Sequence, residues 1–304
     1  MSELEEIRVF VQLVESSNAT RAAEKLGVAV SAVSRRMKDL ETRLGVQLLN
    51  RTTRRMNLTE AGAIYFRRCR QIIDDFEEAQ SEVSQLSRNF TGGLRIAAPM
   101  SFGQAHLLPA IASFMHQYPN MNIDLDMNDR QVNLVEEGVD VAIRVGELKD
   151  SSLMARRLAS ISFAVTASQG FLDRYGVPAT PADLSGMPAL CYSNLSTPGA
   201  WDYVSKDGEK GQVRVEPRML INNGDAIREA AISGLGIACG PTFIVHSALE
   251  RGLLKPVLQD WNWGDVNLYA IYPPTRHLSA RVRLFIDFLA ERFSGVPYWE
   301  RGEW

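Results

Sequence analysis

The first 45 residues contain three short segments of helical period, with a tight turn between the second and the third. Apolar residues at three- and four-residue steps predict a helix over residues 4–16, a short helix over 19–26 and a third helix over 31–44. Gly27 is able to adopt the positive φ of a tight turn, and Gly45 ends the third helix. Two short helices joined in this way are typical of a helix-turn-helix.

The third helix has two chemically different faces. Its apolar residues predict the buried face, which comprises Val33, Met37, Leu40 and Leu44. Hydroxyl and basic side chains project from the opposite face: Ser31, Ser34, Arg35 and Lys38. Such a helix fits the major groove, where arginine bonds guanine in a bidentate manner and serine bonds base edges or phosphate. These are the predicted DNA-reading residues of the helix, and a three-helix bundle with a charged exterior is the alternative.

A basic turn follows the third helix. Residues 48–59 have the pattern of two short strands around a turn. Three arginines lie within five residues at its tip: Arg51, Arg54 and Arg55. Guanidinium groups in that position suit phosphates or a narrow minor groove. The helices and strands together predict a winged helix-turn-helix DNA-binding domain over residues 1–60.

The charge of the chain is unevenly distributed. Residues 21–70 hold twelve Lys and Arg against four Asp and Glu, a net charge of +8, whereas the whole chain carries −3. A compact basic block on an acidic body is typical of a module that binds a polyanion, and a solvated basic face is the alternative.

A long linker helix is predicted over residues 61–90, where no proline occurs. Its apolar positions alternate steps of four and three, the pattern of a two-stranded coiled coil: Tyr65, Cys69, Ile72, Phe76, Ala79, Val83 and Leu86. This seam predicts dimerisation, and packing of the helix on the remainder of its own chain is the alternative. A dimer presents two helix-turn-helix units to two half-sites, so the operator is expected to be near-palindromic.

The remaining residues, 91–304, alternate strand-like and helix-like segments. This alternation predicts an α/β body with largely parallel sheets and a ligand site at the carboxyl ends of the strands. Ser101 stands where the first strand of the body passes into a helix. Unpaired amides and a hydroxyl at that point suit a carboxylate or another anion, and simple capping of the helix is the alternative.

Three stretches of the chain form a specific pattern by their order and spacing. They are Ala-Ala-Glu-Lys-Leu at 22–26, the segment 31–45 with its Ser-Ala-Val-Ser-Arg start, and the segment 48–62 that ends in Leu-Thr-Glu-Ala-Gly. This pattern resembles that of the LysR-type transcriptional regulators. Residues 144–156 are similar to the subgroup near the neisserial adhesion regulator. One departure is the pair Ala29-Val30, where many members carry Ser-Gln and the glutamine often reads a base.

The resemblance implies a fold class: an all-α winged helix-turn-helix and a long linker helix, followed by an α/β two-lobed effector domain like the periplasmic binding proteins. Lobe I then covers about 91–162 and 268–304, and lobe II about 163–267, with crossover strands near 160–167 and 265–271. Loops around the cleft between the lobes are the implied effector site, with Ser101, Phe102, Asn128, Arg144, Asn194, Ser196, Asn222 and Asn223 as its candidate residues.

Several features argue against other classes of protein. The chain contains no run of 18 apolar residues, and its acidic start lacks the apolar segment of a secretory signal. Cys69, Cys191 and Cys239 are too scattered for a disulfide framework, and the last two, 48 residues apart, lack the spacing of a redox pair. We therefore expect a cytoplasmic protein without contact to a membrane.

Catalytic motifs are missing as well. The chain carries no Walker A loop, no G-x-S-x-G elbow and no H-E-x-x-H, and its four histidines lack the spacing of metal ligands. The glycines of residues 234–240 do not match a dinucleotide fingerprint, and Gly234 is interpreted as a helix stop. We predict no catalytic residues, no metal and no cofactor other than a small-molecule effector.

The predicted function is that of a DNA-binding transcriptional regulator, and not of an enzyme. Its expected partners are double-stranded DNA, a small-molecule effector, further copies of the chain and RNA polymerase, with a tetramer implied by the resemblance alone. One alternative is an α/β small-molecule-binding protein or enzyme with an accessory DNA-binding module. Another is a sequence-neutral architectural DNA binder.

Overall fold

Two units divide the chain, the first comprising residues 1–89 and the second residues 90–304. This computed structural model describes residues 2–52, 55–83, 90, 92–130, 133–148, 153–274 and 278–302. It describes the backbone alone at 51, 52, 55, 56, 74, 75 and 77–83.

The first unit is a helix-turn-helix with a β-hairpin and a long helix. Its elements are α1 (Glu3–Ser16), α2 (Ala19–Leu26), α3 (Val30–Leu44), β1 (Leu49–Thr52), β2 (Arg55–Leu58) and α4 (Glu60–Val83). Asn18 caps α2, since its Oδ1 accepts the backbone N–H groups of Thr20 and Arg21 at 2.8 and 3.3 Å. Gly27 and Gly45 have φ of +65° and +67°, so both predicted glycine stops are confirmed.

The core of the first unit lies between its helices. Phe10, Val33 and Leu40 are fully buried. Leu44, predicted to be buried with them, is 36% exposed, so that prediction was wrong. Leu44 is the last residue of α3, and the chain turns away at Gly45 before another element covers it.

Side-chain hydrogen bonds attach the hairpin and α4 to the rest of the first unit. Glu41 on α3 accepts the backbone N–H of Leu48 at 2.8 Å, which places the start of the hairpin. The Thr59 hydroxyl accepts the N–H of Gly62 at 2.9 Å at the start of α4. A Cβ added at Gly62 would lie 1.9 Å from the Leu48 carbonyl oxygen, so only glycine allows this close packing.

The second unit is an α/β body. Its strands are β3 (Gly92–Ala98), β4 (Met121–Met127), β5 (Val141–Gly146), β6 (Met154–Ala167), β7 (Pro188–Tyr192), β8 (Ala200–Val204), β9 (Lys210–Arg214), β10 (Glu216–Ile221), β11 (Ile237–Pro241), β12 (Lys255–Val257) and β13 (Asp265–Tyr272). Its helices are α5 (Met100–Phe102), a π-helical turn (Gly103–Leu107), α6 (Leu108–Gln117), α7 (Leu134–Glu137), α8 (Gln169–Tyr175), α9 (Gly224–Ile232), α10 (Thr242–Glu250) and α11 (Ala280–Arg292), with 3₁₀ turns at Pro181–Gly186 and Tyr298–Glu300.

In the described part of the body, nine strands form one sheet in the order β10-β7-β11-β6-β13-β5-β3-β4, with β12 beside β6. β3 runs parallel to β4 and β5, and β7 runs parallel to β10 and β11. We call the half with β3, β4 and β5 lobe I and the half with β7, β10 and β11 lobe II. β6 and β13 pair antiparallel between them, which confirms the two predicted crossover strands.

An aromatic cluster joins the two lobes. Phe243, at the start of α10 in lobe II, belongs to the hydrophobic core of lobe I. Its ring centroid lies 5.5 Å from that of Phe102, and the Phe102 ring lies 5.8 Å from that of Trp299. Phe102 and Trp299 are fully buried, so both lobes and the carboxyl-terminal turn share one packed centre.

His106 is a buried polar member of this cluster, with 3% of its surface exposed. Its Nε2 lies 2.9 Å from the Phe243 carbonyl oxygen and donates to it, so Nδ1 accepts from the Tyr298 hydroxyl. Burial lowers the pKa of His106 to about 4, the bond to the Phe243 carbonyl opposes this, and His246 lowers the pKa further. His106 is therefore neutral at pH 7.

Acidification is expected to destabilise the second unit. Between pH 6.5 and about 4 the unfolded chain binds a proton at His106 that the folded chain excludes, so stability falls as the pH falls through this window. The loss approaches roughly 3 kcal/mol, at about 1.4 kcal/mol per pKa unit. Urea unfolding of the wild type and of His106→Gln from pH 7 to pH 4 measures it. Glutamine keeps a donor for the Phe243 carbonyl and does not titrate, so an equal pH dependence in both proteins would contradict this assignment.

Candidate nucleic-acid interface and effector cleft

The outer face of α3 carries the side chains that the sequence singled out for reading DNA. Ser31, Ser34, Arg35 and Lys38 are all exposed, and Val33, Met37 and Leu40 on the opposite face are buried. The Arg35 side chain is 81% exposed, and its Nε lies 3.9 Å from the Asp39 carboxylate. An exposed pair of this kind contributes little energy, so Arg35 is free to bond elsewhere.

Val30 is an exposed apolar residue on α3 that sequence reasoning did not place in the site. It is the first residue of α3 and is 41% exposed, and Ala29 before it offers no side-chain cap. An apolar group at the amino end of such a helix contacts the methyl group of thymine when the helix lies in the major groove. The sequence signal for Val30 was the pair Ala29-Val30, which stands where many family members carry Ser-Gln.

The described part of the hairpin beside α3 carries two asparagines. Asn50 and Asn57 oppose each other in the register of β1 and β2. They border an open groove of about 1020 Å³ whose other lining residues are Lys38, Glu41, Thr42, Gly45, Val46, Gln47 and Leu49. The predicted DNA contacts of the hairpin arginines lie outside the described part of the structure, which does not include Arg54 or the side chains of Arg51 and Arg55.

The predicted coiled-coil seam of α4 divides into two parts. Cys69 is fully buried in the core of the first unit, and the Tyr65 ring lies 5.5 Å from that of Phe10, so these two residues pack within one chain rather than at a dimer seam. Ile72 and Phe76, one and two turns further on, are 47% and 39% exposed. The Ala79 and Val83 side chains and all of Leu86 lie outside the described residues.

The candidate effector cleft comprises the loops at the carboxyl ends of the parallel strands of lobe I and lobe II. Ser101, after β3 in lobe I, is only 6% exposed. A Cβ added at Gly224, the first residue of α9 in lobe II, would lie 3.6 Å from the Ser101 Oγ and 2.3 Å from the Ile244 Cδ1. A side chain at Gly224 would thus collide with Ile244 of the same lobe, and Ser101 of lobe I lies at van der Waals distance from this position.

Three of the predicted effector residues have structural roles. Phe102 is fully buried in the aromatic cluster, which contradicts its place in the cleft, because a side chain that is packed on all sides has no surface left for a ligand. Asn223 caps α9 by accepting the N–H of Ala226 at 2.9 Å. The Asn128 Oδ1 accepts the N–H of Arg130 at 3.1 Å and shapes its own turn.

Asp129 occupies the position that the sequence suggested for an anion. Its Oδ1 accepts the backbone N–H of Met100, the first residue of α5, at 3.0 Å. The protein thus supplies its own carboxylate to this amide, where the sequence left open whether an anion binds or Ser101 only caps the helix. Sequence reasoning named the neighbouring Asn128 instead, because spacing alone does not say which of two adjacent side chains turns inward.

Polar side chains at the end of β7 in lobe II lie near Asp129 of lobe I. Burial raises the pKa of Tyr192, at the end of β7, and the nearby negative charge of Asp129 raises it further. The Asn194 Nδ2 donates to the Tyr192 hydroxyl oxygen at 3.2 Å. Ser196 and Asn222, also predicted for the site, are exposed at the rim of lobe II. Lobe II therefore offers a hydroxyl and amides towards the carboxylate of lobe I.

Arg144 is the cation of the predicted site. It lies on β5 opposite Tyr269 of β13 and is half-buried. Within the described ranges it has no ion-pair partner, in contrast to Arg95 and Arg130, which pair with carboxylates at 2.9 and 2.6 Å. A half-buried guanidinium without an ion-pair partner among the described residues suits an acidic ligand.

A second groove, of about 540 Å³, lies between β6 and the carboxyl-terminal turn and not in the cleft. Glu300 at its edge accepts the N–H of Ser162 at 2.9 Å and the hydroxyl hydrogen of Thr242, the first residue of α10. This carboxylate ties a crossover strand to lobe II. Across the described residues, no group of three or more His, Cys, Asp or Glu side chains is arranged to hold a metal ion.

These two units define a class of protein. A helix-turn-helix with an exposed hydroxyl and basic face precedes an α/β body in which two sets of parallel strands are joined by two antiparallel crossover strands. This is the construction of regulators that bind DNA with one unit and a small molecule with the other. None of the described helices has the length and apolarity that a membrane span requires.

Comparison with known families agrees with this class. The model of the LysR substrate binding domain matches residues 87–294, and the model of the bacterial regulatory helix-turn-helix protein, lysR family, matches residues 4–63. The chain belongs to the LysR family of transcriptional regulators, a family of regulators and not of enzymes. The resemblance stated from the sequence motifs is confirmed.

Individual relatives match over nearly their whole length. The HTH-type transcriptional regulator CrgA of Neisseria meningitidis (serogroup C, strain 8013) is 37% identical over 288 residues, which cover 94% of this chain and 96% of that protein. The HTH-type transcriptional activator AaeR of Escherichia coli (strain K12) is 32% identical over 296 residues, covering 97% and 96%. The solved structure of CrgA from Neisseria meningitidis has a TM-score of 0.63 at 36% identity and covers 97% of this chain and 100% of that chain.

Proposed function

We propose that this regulator reads its operator with α3 and the β1–β2 hairpin, and that a small molecule in the interlobe cleft alters that binding. The observation that supports the proposal is the exposed face of α3, which presents the hydroxyl and basic side chains of Ser31, Ser34, Arg35 and Lys38. DNA and effector then change each other's affinity by the same factor, as any two coupled ligands do. Such a regulator works in the cytoplasm, where its DNA is.

The DNA contacts divide between base reading and backbone binding. Arg35 and Ser31 stand on the amino-terminal half of α3, the half that reaches base edges in the major groove. Val30 adds an apolar contact for a thymine methyl group, in the position where many relatives carry glutamine. Arg51, Arg54 and Arg55 on the hairpin are assigned to phosphates or the minor groove.

Replacing Arg35 by alanine is expected to weaken operator binding by about 1–3 kcal/mol, because a bidentate bond to guanine is lost. Arg54→Ala is expected to weaken all duplexes evenly and to reduce the salt dependence of binding, because it removes a phosphate contact. Gel shifts on the upstream region of the gene itself and on a scrambled duplex, at several salt concentrations, separate the two effects.

Arg214→Ala is the matched control for these variants, since Arg214 is an exposed arginine of the second unit. It removes the same charge and is expected to leave both affinities unchanged. Equal proportional losses of specific and nonspecific binding in Arg35→Ala and Arg54→Ala would refute the division between bases and phosphates. Absence of any sequence preference in the unmodified protein would refute the proposal itself.

The protein is proposed to act as a dimer, with a tetramer as the assembly that the family resemblance implies. Ile72 and Phe76 support this, because two large apolar side chains four residues apart are exposed on one face of α4. Tyr65 and Cys69 make no part of this surface. The dimer seam is therefore proposed to begin at Ile72 and to continue towards the end of α4.

The double variant Ile72→Asp, Phe76→Asp is expected to dissociate the assembly, because it places four like charges in a paired seam. Sedimentation velocity at micromolar concentration measures the change. Val135→Asp, at an apolar residue of the second unit that is 60% exposed, is the matched control and is expected to sediment as the wild type does. A double variant that keeps the sedimentation coefficient of the wild type would show that α4 packs elsewhere.

The cleft is proposed to take a small acid that also carries hydrogen-bond donors. Arg144 supplies the charge for the acid group, and Asp129 and the Tyr192 hydroxyl supply acceptors. Ser101, Asn194, Ser196 and Asn222 are further candidate contacts of the same kind.

A small acid that binds is expected to raise the thermal unfolding midpoint of the second unit in the full chain, because it stabilises the folded state by mass action. A screen of aliphatic, hydroxy and aromatic acids detects the shift. Arg144→Gln is expected to lose it and Arg214→Gln to keep it. Equal shifts in both variants would remove Arg144 from the effector site.

A further inference from the structure

Cys191 and Cys239 are neighbours in the sheet of lobe II, although 48 residues separate them in the sequence. β7 and β11 run parallel, with Ala189 opposite Ile237 and Leu190 opposite Ala238. The next residues in this register are Cys191 and Cys239. The sequence spacing gave no sign of this pair, because strand pairing alone creates it.

Both thiols project from the same face of the sheet. Cys191 and Cys239 pack in one hydrophobic core, whereas Leu190 and Ala238, between them and the preceding pair, pack in the core of the opposite face. Cys191 is 1% exposed, and Cys239 keeps part of its surface accessible. The strand register and the shared core therefore place the two thiols side by side.

The spacing of neighbouring strands suits a bridging ion better than a disulfide. Adjacent strands lie about 4.8 Å apart, and in-register side chains leave them side by side. A disulfide requires Cβ atoms about 3.8 Å apart, so the strands would have to approach each other. Two metal–sulfur bonds of about 2.3 Å span roughly 4.6 Å without such a movement.

The surroundings select the kind of ion. Zinc requires four ligands, and the described residues provide no group of three or more His, Cys, Asp or Glu at one place. Two thiols alone suit a soft cation that accepts two sulfur ligands in a line. A divalent cation leaves a neutral complex after both S–H protons depart, and neutrality matters because a net charge in a buried place is costly.

We propose that Cys191 and Cys239 form a two-coordinate binding site for a soft, thiophilic divalent cation. Binding exchanges two S–H bonds for two metal–sulfur bonds, releases two protons and involves no oxidation or reduction. The site lies one residue before the end of β7 at Tyr192 and two residues before the end of β11 at Pro241. A bound ion thus links two strands directly beneath the rim of the cleft.

Mercury(II) is the probe, used on the reduced full chain carrying Cys69→Ala so that only these two thiols remain. We expect one ion bound per chain by native mass spectrometry and two protons released per ion in weakly buffered solution. Further replacement of Cys191 or of Cys239 by alanine is expected to weaken binding at least 100-fold in competition with a small dithiol. Zinc(II) is expected not to compete.

Full affinity in either single replacement, or one proton released per ion, would overturn the proposal, because both indicate a single thiol. Operator binding by each variant verifies that it is folded. A second measurement needs no variant: one equivalent of mercury(II), added to the folded unmodified chain, must protect both Cys191 and Cys239 from alkylation in denaturant, as read by peptide mass. Protection of one cysteine alone would also overturn it.

Discussion

The insertion of Phe243 into the core of lobe I, beside the crossover strands β6 and β13, is the interaction on which the body depends. Lobe II is connected to lobe I by two paired strands and is held there by a ring packed against Phe102. Packed cores do not deform continuously, so this contact resists separation of the two lobes.

Local signals in the sequence were sufficient for the helices of the DNA-binding unit. The starts and ends of α1, α2 and α3 were predicted to within one residue, because periodicity, the Asn18 cap and two glycine stops act over a few residues. Strands β8, β9, β10 and β12 were not recognised in the sequence. β10, for example, is almost wholly exposed and lacks an apolar alternation. Such strands are specified by their partners, which the sequence does not reveal.

The family motifs turned out to mix two kinds of residue. Arg35 is exposed and available to DNA, whereas Glu41 and Gly62 hold the hairpin and α4 in place. Phe102 was assigned to the cleft together with Ser101 from the family resemblance, yet adjacent residues of a helix point in different directions. Residues of a candidate site could thus be located to a loop by pattern, and their side chains could be assigned only by packing.

Asp129 makes binding at the start of α5 an exchange of anions. To bond the Met100 N–H, an acidic molecule must displace the Asp129 carboxylate from it. Asp129 belongs to the same chain, so its carboxylate is present at a high effective concentration. The net binding energy at this amide is the difference between its hydrogen bond to the acid and its hydrogen bond to Asp129. These two bonds are similar, so a simple acid gains almost nothing there. The tethered carboxylate thereby acts as a built-in competitor, which favours ligands with several further contacts over abundant small anions.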